Sequence, residues 1–267
     1  MPIPAAFDLS GRVAVVTGAG APDGIGFAAA RLLAQLGAAV MLGATSARIE
    51  ARAGELREAG FDAAGIAGDL TETGAAAGLV AATLQRWGRL DIVVNNAGMI
   101  STASPVFESG TADSMDVASW QASLDRNLTT AFLITKAALP AMSGRGWGRI
   151  IMMASVTGPV MAMRADVAYA SAKAGMTGLT RAVAIDAAGA GITVNAVAPG
   201  WIATGSQTPD ERGEGLATPV GRSGSPDEIA AAVAWLASPG ASYITGQCLI
   251  IDGGNSIAEQ RRTPPRS

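Results

Sequence analysis

Short apolar runs alternate with helix-patterned segments along nearly the whole chain, and that alternation leaves few folds open. The runs fall at residues 13–17, 39–43, 65–70, 91–94, 149–154, 192–197 and 249–252. Between them lie stretches with apolar residues at helical spacing, among them 120–142, 169–188 and 226–236. Runs of this length, closed by Gly, Asn, Asp or Ser, read as buried strands. Strands that alternate with helices build a parallel sheet covered on both sides. The expected fold is therefore α/β, a doubly wound parallel sheet with helices on both faces. Its 267 residues suit one large domain, expected over residues 1–260. Residues 261–267 are basic and Pro-rich and are expected to be a disordered tail. No internal repeat or linker interrupts the pattern.

Composition closes off several functions. Histidine is absent and Cys248 is the single cysteine, so Ser–His–Asp hydrolysis, His-based metal sites and a zinc cluster are excluded. No metal site is expected. The lone cysteine allows no internal disulfide, which fits a reducing, cytoplasmic compartment. A net charge of −3 without a basic block argues against nucleic acid as a partner. No apolar run approaches the roughly 20 residues that span a bilayer, and residues 1–9 lack the pattern of a secretory signal. The expected partner is a small molecule.

The first run, Val13–Thr17, ends in Gly18-Ala19-Gly20-Ala21-Pro22-Asp23-Gly24-Ile25-Gly26, and a helical pattern through Ala29, Leu32, Leu33 and Leu36 follows. Strand, Gly-rich turn and helix in that order suit a dinucleotide, because backbone N–H groups at the helix start can approach a pyrophosphate. Beyond the second strand, Ala44-Thr45-Ser46-Ala47-Arg48 offers no carboxylate for a ribose diol. Thr45, Ser46 and Arg48 there lean towards a 2′-phosphate, hence NADP(H) over NAD(H); Thr45 and Ser46 could equally cap the next helix. Asp69, beside Leu70 at the third strand's end, could accept from an adenine amino group or cap a helix. Asn95-Asn96-Ala97-Gly98 closes the fourth strand, either as turn chemistry or as a close approach for the cofactor. Residues 99–117 and 205–225 read as loops, the second a polar lid. Ser155 stands at the carboxyl end of the fifth strand, where open parallel sheets bind their ligands.

Tyr169 and Lys173 lie four apart in an Ala-rich helical segment, so a phenol and an ammonium share one face. A positive charge there would lower the phenol's pKa and make it a usable proton donor or acceptor. Met161, Met163 and Trp201 suggest an apolar substrate pocket, although core packing accounts for the same residues.

In this order, Thr17-Gly18 with Gly24-Ile25-Gly26, Asp69, Asn95-Asn96-Ala97-Gly98, Asn127, Ser155, Tyr169 with Lys173, Pro199-Gly200 with Thr204, and Tyr243-Ile244-Thr245-Gly246-Gln247 resemble the short-chain dehydrogenase/reductase family. The likeness covers residues 7–257 and is strongest to its 3-oxoacyl-carrier-protein reductase group. It implies a Rossmann-like sheet and an NAD(P)(H)-dependent interconversion of a ketone and a secondary alcohol. It also implies a catalytic tetrad. Tyr169 would be the general acid or base, and Lys173 would lower its pKa and hold the nicotinamide ribose. Ser155 would bind the substrate oxygen, and Asn127 would hold a water in a proton relay to Lys173. Gly18, Gly24, Ile25, Gly26, Asp69, Leu70, Asn96, Ala97, Gly98, Pro199 and Gly200 would line the cofactor, with Thr204 and the Ile202 backbone on its carboxamide. A homotetramer is implied as well.

Two features depart from the family pattern. The glycine loop is two residues longer, and Asp23, just before Gly24, would repel a 2′-phosphate. The loop at 101–117 is extended and is expected to shape the substrate pocket. Two other functions compete: a non-catalytic nucleotide sensor or scaffold, against which the intact tetrad speaks, and a sugar-nucleotide epimerase, for which the chain after Pro199 is short.

Overall fold

The computed structural model describes residues 2–99 and 108–260. The expected tail at 261–267 and part of the expected loop, 100–107, lie outside the described residues. Seven strands form one parallel sheet: β1 (Val13–Thr17), β2 (Ala39–Ala44), β3 (Ala63–Ala67), β4 (Ile92–Asn95), β5 (Gly148–Met153), β6 (Ile192–Pro199) and β7 (Cys248–Ile251). Their order across the sheet is β3-β2-β1-β4-β5-β6-β7. The chain reverses direction between β1 and β4, and a crevice opens there at the carboxyl ends. This is the doubly wound, Rossmann-like arrangement expected.

Side chains alternate across the strands and feed two cores. Ala14 and Val16, Val40 and Leu42, Ile92 and Val94, and Ile151 and Met153 pack on one face. They meet α1 (Ile25–Gln35), α2 (Arg48–Glu58) and α8 (Pro226–Ala237). Val15, Met41, Val93, Ile150 and Met152 face the other way. They meet α3 (Ala75–Trp87), α5 (Thr130–Ser143) and α6 (Val167–Ala187). Covered on both faces, β1, β4, β5 and β6 are buried at every position, which explains why their runs are largely apolar.

Five expectations shift. β3 ends at Ala67, where its partner β2 also ends, so Asp69 and Leu70 lie beyond the strand. Its sequence neighbours are small and gave no sharp boundary. Asp69 caps no helix: its Oδ1 accepts from Thr71 N and Thr71 Oγ1 in a local turn, and α3 starts only at Ala75. The residue before α2 is Ala47, and no side chain caps that helix. The helix expected at 120–142 is broken into α4 (Val117–Leu124), a π-turn (Asp125–Thr129) and α5. The polar segment at 205–225 contains α7 (Pro209–Leu216), opened by a reciprocal cap between Thr208 and Glu211.

Candidate active site

α6 carries the centre of the site because its buried residues repeat at helical spacing: Tyr169, Ala172, Lys173, Met176 and Thr180 face the sheet. Lys173 is 3% exposed, and its Nζ donates to Met153 O on β5 at 2.8 Å. Nζ also lies 5.5 Å from the centre of the Tyr169 ring. Burial pushes the Lys173 ammonium down to about 8. Burial pushes the Tyr169 hydroxyl up to about 12; its hydrogen bond with the Ser155 side chain pulls down, and Asp166 and Glu211 push further up. The expected lowering of Tyr169 by Lys173 is therefore not what this structure holds. Nζ sits over the ring and bonds to a carbonyl, while desolvation of a buried phenol outweighs other influences. Ser155 lies two residues past β5, and its Oγ accepts from Thr157 N at 3.1 Å. Tyr169, Lys173 and Ser155 are thus brought together.

Asn127 is not the exposed residue that a lone helical Asn usually is. It is 1% exposed inside the π-turn, a widened backbone turn that recurs at functional sites. Its Nδ2 donates to Ser123 O at 3.1 Å and its Oδ1 accepts from Met99 N at 2.8 Å. Next to it, Arg126 Nη1 donates to Met99 O at 2.7 Å, and the same guanidinium pairs with Glu108. Met99, with φ 56, is held on both its N–H and its carbonyl. A Cβ built on Gly98 would lie 2.7 Å from Asn127 Oδ1 and 3.2 Å from Lys173 Nζ. The fourth tetrad residue therefore converges with Lys173 on the backbone that closes β4.

The expected cofactor residues line the crevice beside this group. Gly24 precedes α1 and offers no capping side chain, which leaves the first-turn N–H groups of the helix directed outward. Gly18 has φ 67, and a Cβ there would lie 2.8 Å from Asn96 Nδ2. A Cβ on Gly26 would lie 2.6 Å from Gly18 O. This close-laid, side-chain-free cradle at a helix start fits a nicotinamide dinucleotide's pyrophosphate. Asn96 serves the protein itself: Nδ2 donates to Thr17 O and Gly18 O, both at 3.1 Å, tying the ends of β4 and β1 together. Ala97 N donates to Thr17 Oγ1 at 3.0 Å. Thr45, Ser46 and Arg48 sit past β2, with Arg48 exposed and its Nε donating to Ser46 Oγ at 3.4 Å. Asp69 is half-buried and Leu70 buried at the outer end. Across the crevice, Gly200 N is bonded to Ile251 O, Ile202 pairs with Gly224, and Thr204 Oγ1 lies 3.0 Å from Ser206 Oγ. The Asp23 carboxylate lies against Gly205, on this side of the crevice.

Sequence reasoning passed over several residues here. Asp166 precedes α6 and is buried; burial pushes its carboxyl up to about 6. Its place just before a helical pattern, three residues ahead of Tyr169, was a signal that could have found it. Gly158 lays the Ser155 loop on α6: a Cβ there would overlap Ala170 O and lie 2.9 Å from Ala174 N. The Arg126–Glu108 pair had no local signal, since its partners are 18 residues apart. Met163 and Val160 are 51% and 44% exposed near the site, consistent with an apolar pocket rim.

A family described as enoyl-(acyl carrier protein) reductase matches residues 18–256. The chain is 40% identical to a cis-4-hydroxycyclohexanecarboxylate dehydrogenase of Sinomonas cyclohexanicum, covering 91% of this chain and 96% of that protein. It is also 40% identical to the 3-oxoacyl-acyl-carrier-protein reductase FabG of Vibrio cholerae, covering 92% and 98%. Among solved structures, a dehydrogenase/reductase from Sinorhizobium meliloti superposes with a TM-score of 0.85 at 33% identity, covering 94% and 97%. A variant of a Serratia marcescens short-chain dehydrogenase/reductase gives 0.84 at 35%, covering 93% and 99%.

Proposed function

The chain belongs to the short-chain dehydrogenase/reductase family, and from that premise we propose that it interconverts a ketone and a secondary alcohol with Tyr169 as general acid and base. As a member it is an NAD(P)-dependent enzyme acting at CH–OH or keto carbons. The observation that carries the finer reading is the junction of Tyr169, Lys173 and Ser155 at the carboxyl end of β5, beside the glycine cradle.

Ser155 and Tyr169 donate hydrogen bonds to the substrate oxygen, stabilising the negative charge that develops on it during reduction. Tyr169 then gives up its proton to that oxygen and recovers one through Lys173, whose Nζ is fixed by Met153 O. Asn127 holds the backbone at Met99, and so the position of Gly98 beside Nζ. A nicotinamide dinucleotide, when bound, supplies or accepts the hydride. Gly18, Gly24, Ile25 and Gly26 would hold its pyrophosphate, Asp69 and Leu70 its adenine end, and Ala97, Gly98, Pro199, Gly200, Ile202 and Thr204 its nicotinamide half. We read residues 1–260 as one domain and a reducing, cytoplasmic setting as the one that suits its lone Cys248.

The preference we propose is for NADP(H). Asp23 rests against Gly205, so the charge at the ribose end is that of Arg48. A screen of ketones and secondary alcohols with each cofactor, followed by the absorbance of the reduced nicotinamide, tests the function. In the same assay Arg48→Ala is expected to weaken NADPH about tenfold, as for one charge-assisted contact at an exposed site, and NADH much less. Equal losses would place Arg48 in solvent. Better use of NADH by the parent would mean that Asp23 governs the choice.

A homotetramer is part of the proposal. The edge strand β7 leaves Leu249 and Ile250 exposed, Tyr243 is wholly exposed, and the outer faces of α5 and α6 leave Phe132 and Ile185 uncovered at 45% and 80%. Unpaired strand edges and apolar helix faces of this kind favour self-association. Light scattering at micromolar concentration is expected to give four times the monomer mass, and a monomer would remove this part.

A further inference from the structure

Asp166 has no task in the mechanism above, although it opens α6 one turn before Tyr169. It stands three residues before Tyr169, just outside the helix, and close enough for its charge to act on that hydroxyl. The residue is 6% exposed, and its Oδ1 is buried without a hydrogen bond from any described residue. It does not cap the helix that it precedes. The segment is held firmly in place. Ala165 stands in left-handed backbone at φ 55, and its carbonyl accepts from Gly110 N at 2.8 Å and Ser109 Oγ at 2.9 Å. A left-handed alanine and an unmatched buried carboxylate each cost free energy, and such costs gather where ligands are bound.

We infer that Asp166 determines substrate specificity, its carboxylate accepting a hydrogen bond from a hydroxyl or ammonium group carried next to the reacting carbon. This rests on the reading of Tyr169 as the acid and base. A small substrate whose oxygen sits at Tyr169 and Ser155 has Asp166 beside it, three residues along the chain from Tyr169 and within reach of its charge. An ionised carboxylate accepts hydrogen bonds and donates none, so the substrate must bring the donor. The same charge disfavours a substrate carboxylate at that place. Glu211 acts on the same hydroxyl: Asp166 and Glu211 both push the Tyr169 hydroxyl up, Lys173 lies over its ring, and a donor on Asp166 relieves the upward push.

The test uses the full-length parent, Asp166→Asn and Asp166→Ala. The matched substrates are 1,2-cyclohexanediol, 2-aminocyclohexanol and cyclohexanol, together with the best substrate of the screen. The best substrate is expected to carry a donor next to its reacting carbon. The donor-bearing member of each pair is expected to be favoured in kcat/KM by about tenfold to a hundredfold, the worth of one charge-assisted hydrogen bond. Asp166→Ala should erase that ratio, and the diol and amino-alcohol arms show which donor is meant. A ratio within about threefold of the parent's in Asp166→Ala, or a best substrate without such a donor, overturns the inference while the proposed function stands. A second readout needs no turnover. The folded carboxyl is raised to about 6, so its contribution is complete below the unfolded value of 3.8 and is lost as pH rises through 6. Asp166→Asn should therefore melt higher than the parent at pH 7.5 and equally at pH 4. No gain at pH 7.5 would mean that the carboxylate already has a partner, which also overturns the inference, even if turnover itself is never found.

Discussion

Tyr169→Phe is expected to fold as the parent does, bind the nicotinamide cofactor with similar affinity, and lose about 10²- to 10⁴-fold in kcat, the usual share of a positioned acid or base. The substitution removes one oxygen from a ring that is 9% exposed and leaves the packing of α6 intact. Because burial holds the hydroxyl at about 12, it is a proton donor at any ordinary pH, the form that ketone reduction needs. Alcohol oxidation by the parent should gain with rising pH as the hydroxyl yields its proton, and the residual rate of the variant should lose that dependence. Rates within about tenfold of the parent's would end the assignment of Tyr169.

Gly158→Ala is the largest expected effect on stability. The residue has φ 99, and an added Cβ meets the Ala170 carbonyl and the Ala174 N–H, both backbone atoms of α6 that cannot swing aside. Left-handed strain and overpacking together predict a loss of at least about 3 kcal/mol in chemical denaturation. Turnover should fall too, since the loop between Ser155 and Asp166 must lift off the helix. Gly178→Ala in the same helix is the control: no atom lies within 4 Å of its Cβ, and a gain of about 0.5–1 kcal/mol is expected from helix propensity. Similar stabilities for the two variants would show that Gly158 is not a point of contact.

The sheet was legible because doubly covered parallel strands must be largely apolar, and β1, β4, β5 and β6, buried throughout, are mostly so. The positions of Tyr169, Lys173 and Ser155 followed from helical spacing and from the rule that ligands sit at strand carboxyl ends. β3 was misplaced by its Ala and Gly residues, which carry little strand signal. α7 was hidden by its polarity, although Thr208 and Glu211 stood at capping-box spacing. The protonation of the site could not be read locally. Spacing placed Lys173 beside Tyr169, but only burial decides that the phenol moves up and the ammonium down. Nor could the π-turn be foreseen from local sequence, since Asn127 within it bonds to Met99, 28 residues away.

The clasp on Met99 makes two properties that an engineer would prefer to tune separately into one. Glu108 anchors Arg126. Arg126 and Asn127 then hold the carbonyl and the N–H of the same residue, Met99. Any loop transplanted here that replaces Glu108 unloads that grip. Swapped loops are therefore expected to shift Met99 and Asn127 together, and a library built at this loop is expected to enrich variants that keep an acid at 108.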